Sequence, residues 1–137
     1  MKKTLIVGLC GLLASCASLS FAPPGPEVAN RIYAYTSDVV FDAVKKALFD
    51  LNADFEDIDE DSGMIFARIQ TASALAAGLL AGKPRAAYLH YRVVLFEVDQ
   101  GTLVKANLYY AYEDQTYKSY GQQDVYDEFW ETVETNL

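Results

Sequence analysis

Few side chains in this sequence are equipped for covalent or acid–base chemistry. It has one histidine, His90, and two cysteines, Cys10 and Cys16. His90 alone ordinarily titrates near neutral pH, which makes it the one candidate general base. A hydrolytic site would also need a nucleophile beside it and a third group to orient it. No Gly-x-Ser-x-Gly stretch and no second histidine accompanies it. Its alternate neighbours Tyr88 and Arg92 place it in a surface row of a strand. The expectation is a protein that is not an enzyme and uses no cofactor. Asp57, Asp59 and Asp61 alternate as the first ligands of a calcium loop do. The match breaks at Gly63, one place late, and at Arg68, where such a loop needs glutamate. A charged hairpin turn without metal is the expected use. Asp124, Asp127, Glu128, Glu131 and Glu134 read as the solvated side of a final helix.

Cys16 sits in a different context. Met1-Lys2-Lys3 is a basic start, and Thr4 to Ala14 carries no charge. That is the layout of a secretory signal, and the apolar run is too short for a membrane-spanning helix. Leu13-Ala14-Ser15-Cys16 closes it with an aliphatic residue, two small residues and a thiol. This resembles the lipobox of bacterial lipoproteins. The resemblance implies cleavage between Ser15 and Cys16 and a diacylglycerol thioether on Cys16. With palmitate-type acylation as well, two or more chains anchor stably, each buried methylene contributing about 0.8 kcal/mol. Ala17, where Asp would retain the protein at the inner membrane, implies the periplasmic leaflet of the outer membrane. The competing reading is an ordinary secretory signal cut after Ser20-Phe21-Ala22. Cys10 lies inside the apolar run as filler.

Cleavage at Cys16 removes Lys2 and Lys3 and leaves nine basic against 19 acidic residues, a net charge of about -10. Such a chain repels phosphate, so nucleic acid is not an expected partner. Its only cysteine is then acylated, which precludes an internal disulfide. The expected organisation is a signal peptide at 1–15, a lipidated and Pro-rich tether at 16–30, and one domain at 31–137. Pro23-Pro24-Gly25-Pro26 favours extended chain in that tether.

The elements that must position these residues follow from periodicity. Ile32 to Thr36 alternates as a short strand. Val40, Phe41, Val44, Ala47, Leu48 and Leu51 recur at helical spacing, opened by Thr36 or Ser37 and stopped at Asn52. Strands follow at 55–58, 64–70, 88–98 and 102–112. The last two are joined by Asp99-Gln100-Gly101, with Gly101 suited to positive φ. A final helix runs from Gln123 to Glu134. The fold class is α+β with an antiparallel sheet of about five strands and two helices on one face, in the order β-α-β-β-β-β-α. Phe41, Val44 and Leu48 followed by Asp59-x-Asp61-Ser62-Gly63-Met64-Ile65 resemble the helix and acidic hairpin of helix-grip-like domains in small envelope lipoproteins. That resemblance implies a fold and a compartment and assigns no functional residue.

Strand alternation then sorts the side chains. Leu89, Tyr91, Val93, Leu95, Val104, Ala106, Leu108, Tyr110, Ile65, Ala67 and Ile69 suit the core. Tyr33, Tyr35, Phe66, Arg68, Tyr88, His90, Arg92, Phe96, Lys105 and Tyr109 collect on the other face. Aromatic and arginine side chains anchor binding surfaces, and aromatic cross-strand pairs also occur on ordinary sheets. Residues 74–81, Ala-Leu-Ala-Ala-Gly-Leu-Leu-Ala, form either a packed helix or loop, or an apolar segment that touches lipid or a partner. The expected function is a lipid-anchored, non-enzymatic interaction module with an envelope protein or peptidoglycan as partner. The alternative is a small-ligand carrier with an aromatic-lined cavity between sheet and helix.

Overall fold

The computed structural model describes residues 22–70, 86–113 and 118–137. Cys16, the Ser15–Cys16 junction and residues 74–81 lie outside them. The chain runs α1 (Pro26–Ala29), β1 (Asn30–Tyr33), α2 (Ser37–Asp50), β2 (Asp54–Asp59), β3 (Met64–Gln70), β4 (Ala87–Val98), β5 (Gly101–Tyr112), β6 (Lys118–Tyr120) and α3 (Gln123–Thr135). The sheet is antiparallel, in the order β1-β5-β4-β3-β2, with β6 also on β5. The α+β class and the antiparallel sheet are as the periodicity predicts, with β6 as a sixth strand and α1 as a third helix beyond the expected order.

Helix α2 forms because Val40, Phe41, Val44, Ala47 and Leu48 share one stripe, and all five are buried. It stops at Asn52, whose φ is 59°. The Asn52 N–H donates to the Phe49 carbonyl and the Ala53 N–H to the Leu48 carbonyl, each at 2.9 Å. This pair of bonds satisfies carbonyls that a helix end otherwise leaves open. Helix α3 buries Tyr126, Phe129, Trp130 and Val133. Both helices share one core with Leu89, Tyr91, Val93 and Leu95 of β4 and Val104, Ala106 and Leu108 of β5. Between sheet and helices, the Tyr91 and Phe129 ring centres lie 5.8 Å apart and those of Phe129 and Trp130 4.8 Å apart.

Strands β1 and β6 occupy the same edge of β5. β1 covers Thr102 to Lys105, and β6 covers Tyr109 to Ala111. Between them the Leu108 N–H donates to the buried Tyr126 hydroxyl at 2.9 Å. The Leu108 carbonyl accepts from the Gly121 N–H at 2.8 Å. A side chain of α3 thus fills the gap in the ladder, as buried amides require.

Three expectations need correction. The Pro-rich segment does not stay extended to residue 30. Pro26 opens a one-turn helix, where its missing N–H removes no bond. The Trp130 indole N–H then donates to the Val28 carbonyl at 2.8 Å, and the Arg31 guanidinium lies 5.4 Å from the Trp130 ring centre. The packed domain therefore includes residues 26–30. Second, β1 ends at Tyr33, and Tyr35 lies in the bend that follows, its carbonyl accepting from the Thr102 hydroxyl at 2.9 Å. Third, Tyr33 is in the core. It pairs with Thr102, and Arg31 with Val104. Directly opposed residues share a face, and Thr102 and Val104 are both fully buried. Ile32, 53% exposed, is the residue that points away.

Candidate functional site

The sheet face opposite the two helices is built by register. Phe66 opposes Arg92, Arg68 opposes His90, and His90 opposes Tyr109. Strand β6 sets Tyr120 against Tyr109 and brings Lys118 beside it. On the other side, the β2–β3 ladder shifts between Phe55 and Asp57, and Glu56 sits at that irregularity. A bulge of this kind re-aims a side chain, and Glu56 reaches both Arg68 and His90.

The centre of the face is an aromatic stack threaded with charge. The His90 and Tyr109 rings lie parallel, 5.0 Å apart and 9° from coplanar. Tyr88 meets His90 edge-on at 6.2 Å. The Arg68 guanidinium sits 4.4 Å from the Tyr88 ring centre. Arg92 lies 5.6 Å from Phe66 and 5.4 Å from Tyr109, and Lys118 lies 5.2 Å from Tyr109. Cations gather on such faces because the ring quadrupole is negative there. Glu56 Oε1 lies 3.5 Å from Arg68 Nη1, and Oε2 lies 3.5 Å from His90 Nδ1.

His90 and Tyr109 are buried, 4% and 3% exposed, which corrects the expectation of a surface histidine. Tyr88 lies edge-on to His90, and Arg92 and Lys118 lie over the Tyr109 ring. His90 Nε2 and the Tyr109 hydroxyl have no hydrogen-bond partner. Burial holds the His90 imidazole below its ordinary value, against the upward pull of the Glu56 carboxylate. At neutral pH the ring is uncharged. Burial also raises the Tyr109 phenol, so its proton stays in place. With the Nδ1 proton directed at Glu56, Nε2 is a bare acceptor.

Among the expected face residues, Phe66, Arg68, Tyr88, His90, Arg92 and Tyr109 come together. Phe96 lies on the same face near the β4–β5 turn, 46% exposed, with the Lys105 ammonium 5.3 Å from its ring. Tyr33 and Tyr35 belong to neither group. Sequence reasoning passed over Glu56 and Lys118. The period of β2 gave no sign of its bulge, and β6 has only three residues in which to show one.

The acidic hairpin is a turn. Asp59 Oδ1 accepts from the Ser62 N–H at 3.1 Å, and Gly63 has φ 64°. A Cβ there would meet the Leu95 carbonyl oxygen at 2.9 Å. Hydrogen bonding from Ser62 holds the Asp59 carboxyl below the usual carboxylate range. Beside the turn lies a hollow of about 540 Å³, lined by Ser37, Asp38, Asp42, Glu60, Asp61 and Glu97 among others. It sits at the rim of the domain and is acidic, unlike the aromatic-lined interior a carrier would use. Among the described residues no group of three or more His, Cys, Asp or Glu is arranged to hold a metal, and no helix is long and apolar enough to cross a membrane.

No protein-family model and no curated protein matches the chain. Among solved structures it is similar to the crystal structure of the adenylate sensor from AMP-activated protein kinase in complex with 5-aminoimidazole-4-carboxamide 1-β-D-ribofuranotide. The identity is 18% over 82% of this chain and 91% of that chain, with a TM-score of 0.46.

Proposed function

We propose that the protein is a non-enzymatic interaction module, held to the periplasmic leaflet of the outer membrane through lipid on Cys16, with the open sheet face as its contact surface. The observation that carries the reading is the composition of that face. In a chain with 19 acidic and 11 basic residues, it gathers Arg68, Arg92, Lys105 and Lys118 against Phe66, Tyr88, Phe96 and Tyr109. Aromatic and arginine side chains of this kind supply most of the energy of protein contacts. Both helices pack on the opposite side, so the domain's stability does not depend on what the face touches. The ring packing of Tyr91, Phe129 and Trp130 between sheet and helices supports a contact surface over a carrier. The lipobox supports the membrane, and the partner is an envelope protein or peptidoglycan.

The test is photocrosslinking in cells from position 96, whose ring is exposed. The expected result is one recurrent adduct, lost when Arg92→Ala is introduced. Adducts indistinguishable from those made from position 46, on the solvent side of α2, would overturn the reading.

A further inference from the structure

The centre of the open face has a chemistry more specific than a general contact surface. His90 Nε2 and the Tyr109 hydroxyl are both buried and both without a hydrogen-bond partner, in rings stacked 5.0 Å apart. Leaving a buried polar atom unpaired costs about 1–3 kcal/mol, and these two belong to residues directly opposed across the β4–β5 ladder, so one occupant could serve both. The pair is complementary in kind. Nε2 of the neutral ring accepts, and the phenol donates. A hydroxyl satisfies both, because it gives one proton and takes another. Arg92 and Lys118 lie over the Tyr109 ring and are exposed. They can therefore swing clear of it and meet a negative charge on whatever enters. Glu56 keeps the Nδ1 side of His90 and, with Arg68, closes the site toward β2.

We propose that His90, Tyr109, Arg92 and Lys118 form a binding site for an acidic saccharide, a hydroxyl lodging between His90 Nε2 and the Tyr109 phenol and its carboxylate or phosphate held by the two cations. The inference rests on the open face being the contact surface and names the ligand class taken there. A sugar presents hydroxyls and an anionic group a few ångströms apart on a rigid ring, which matches a polar floor beneath a cationic rim. A plain carboxylate satisfies the rim and leaves the floor unpaired. A neutral sugar does the reverse.

The experiment uses the full chain in detergent micelles, with binding followed by calorimetry and by the NMR signals of the His90 ring. The probes are glucuronate, glucose and acetate. Glucuronate is expected to bind saturably and to shift the His90 signals, with glucose and acetate each about tenfold weaker or more, a difference of about 1.4 kcal/mol. Tyr109→Phe and Arg92→Gln should each weaken glucuronate by about tenfold while the urea midpoint stays at or above that of the parent for Tyr109→Phe. N-acetylmuramate and glucosamine 1-phosphate then separate a cell-wall glycan source from a phosphorylated lipid-sugar source, by whichever binds more tightly. Absence of saturable binding by every acidic sugar, or acetate as tight as glucuronate, overturns the proposal. If that happens while crosslinking from position 96 still captures a protein through Arg92, the contact-surface reading stands without it. Sugar binding with no Arg92-dependent adduct supports the saccharide site and removes the protein contact.

Discussion

A neutral histidine pressed on a tyrosine gives stability a direction in pH. Burial lowers the folded value of His90 below its ordinary one. As pH falls through about 6.5 the unfolded chain takes up its proton first, which favours unfolding. The stability from the neutral ring is complete above that pH and is lost as pH falls toward the folded value. Arg68 and Arg92 push the same way, and only Glu56 opposes. Urea unfolding at about pH 7.5 and about pH 5.5 should show a drop in midpoint that shrinks in His90→Gln. An unchanged drop would mean that His90 is not the titrating group. Asp38 and Asp59, held low by hydrogen bonds from Thr36 and Ser62, lose their contribution only at more acid pH. Tyr109→Phe removes an unpaired hydroxyl, so thermal melting should find it equal to the parent or more stable by up to about 1 kcal/mol. Tyr109→Ala instead leaves a hole in a buried stack and should cost about 3 kcal/mol or more. Alternation alone put His90 and Tyr109 on the correct face. It could not say they were buried, since burial depends on side chains that arrive from other elements, as Glu56 and Lys118 do.

At the scale of elements, single hydrogen bonds tie α3 to the sheet and to α1. Tyr126→Phe keeps the ring and takes away the acceptor of the Leu108 N–H, leaving a buried amide unpaired. Chemical denaturation should register a loss of about 1–3 kcal/mol. Leu108→Ala and Leu89→Ala, both in the core, should cost about 2–5 kcal/mol. Arg92→Ala, exposed and touching only ring faces among the described contacts, should cost about 1 kcal/mol or less. Equal losses for Arg92→Ala and Leu89→Ala would mean that the two sheet faces are energetically alike, against the burial seen here. The long elements were readable because they repeat. Strands β3, β4 and β5 and helices α2 and α3 each hold several periods, and their bounds fall within a residue or so of expectation. Strand β1 has four residues and α1 has four, too few for a pattern to fix phase. Their placement is set by partners about 70 to 100 positions away, Thr102 and Trp130, which no local pattern encodes.

For the whole molecule, the first question is whether Cys16 carries the proposed lipid. Cys16→Ser should abolish incorporation of labelled palmitate and leave the precursor uncut, read by gel mobility and membrane fractionation. A variant that still matures and stays with membranes would rule out Cys16 as the anchor. Net charge bears on the second question. With a net charge of -8 over the full sequence and a basic open face, adduct formation from position 96 should weaken as salt rises, because exposed charges are screened beyond about 10 Å at 0.1 M. The attachment of the N-terminal segment has a mechanical consequence. A pull transmitted along residues 22–25 is resisted by the Trp130–Val28 hydrogen bond and then by the β1–β5 ladder. Force that peels β1 away also draws Tyr33 out of the core and bares Thr102 and Val104. The β2–β3–β4–β5 ladders and the α2–α3 contact do not run through β1, so peeling it lengthens the N-terminal side before it reaches the face of His90 and Tyr109. Trp130 and the four residues of β1 are thus the first contacts that force on the N-terminal segment would meet.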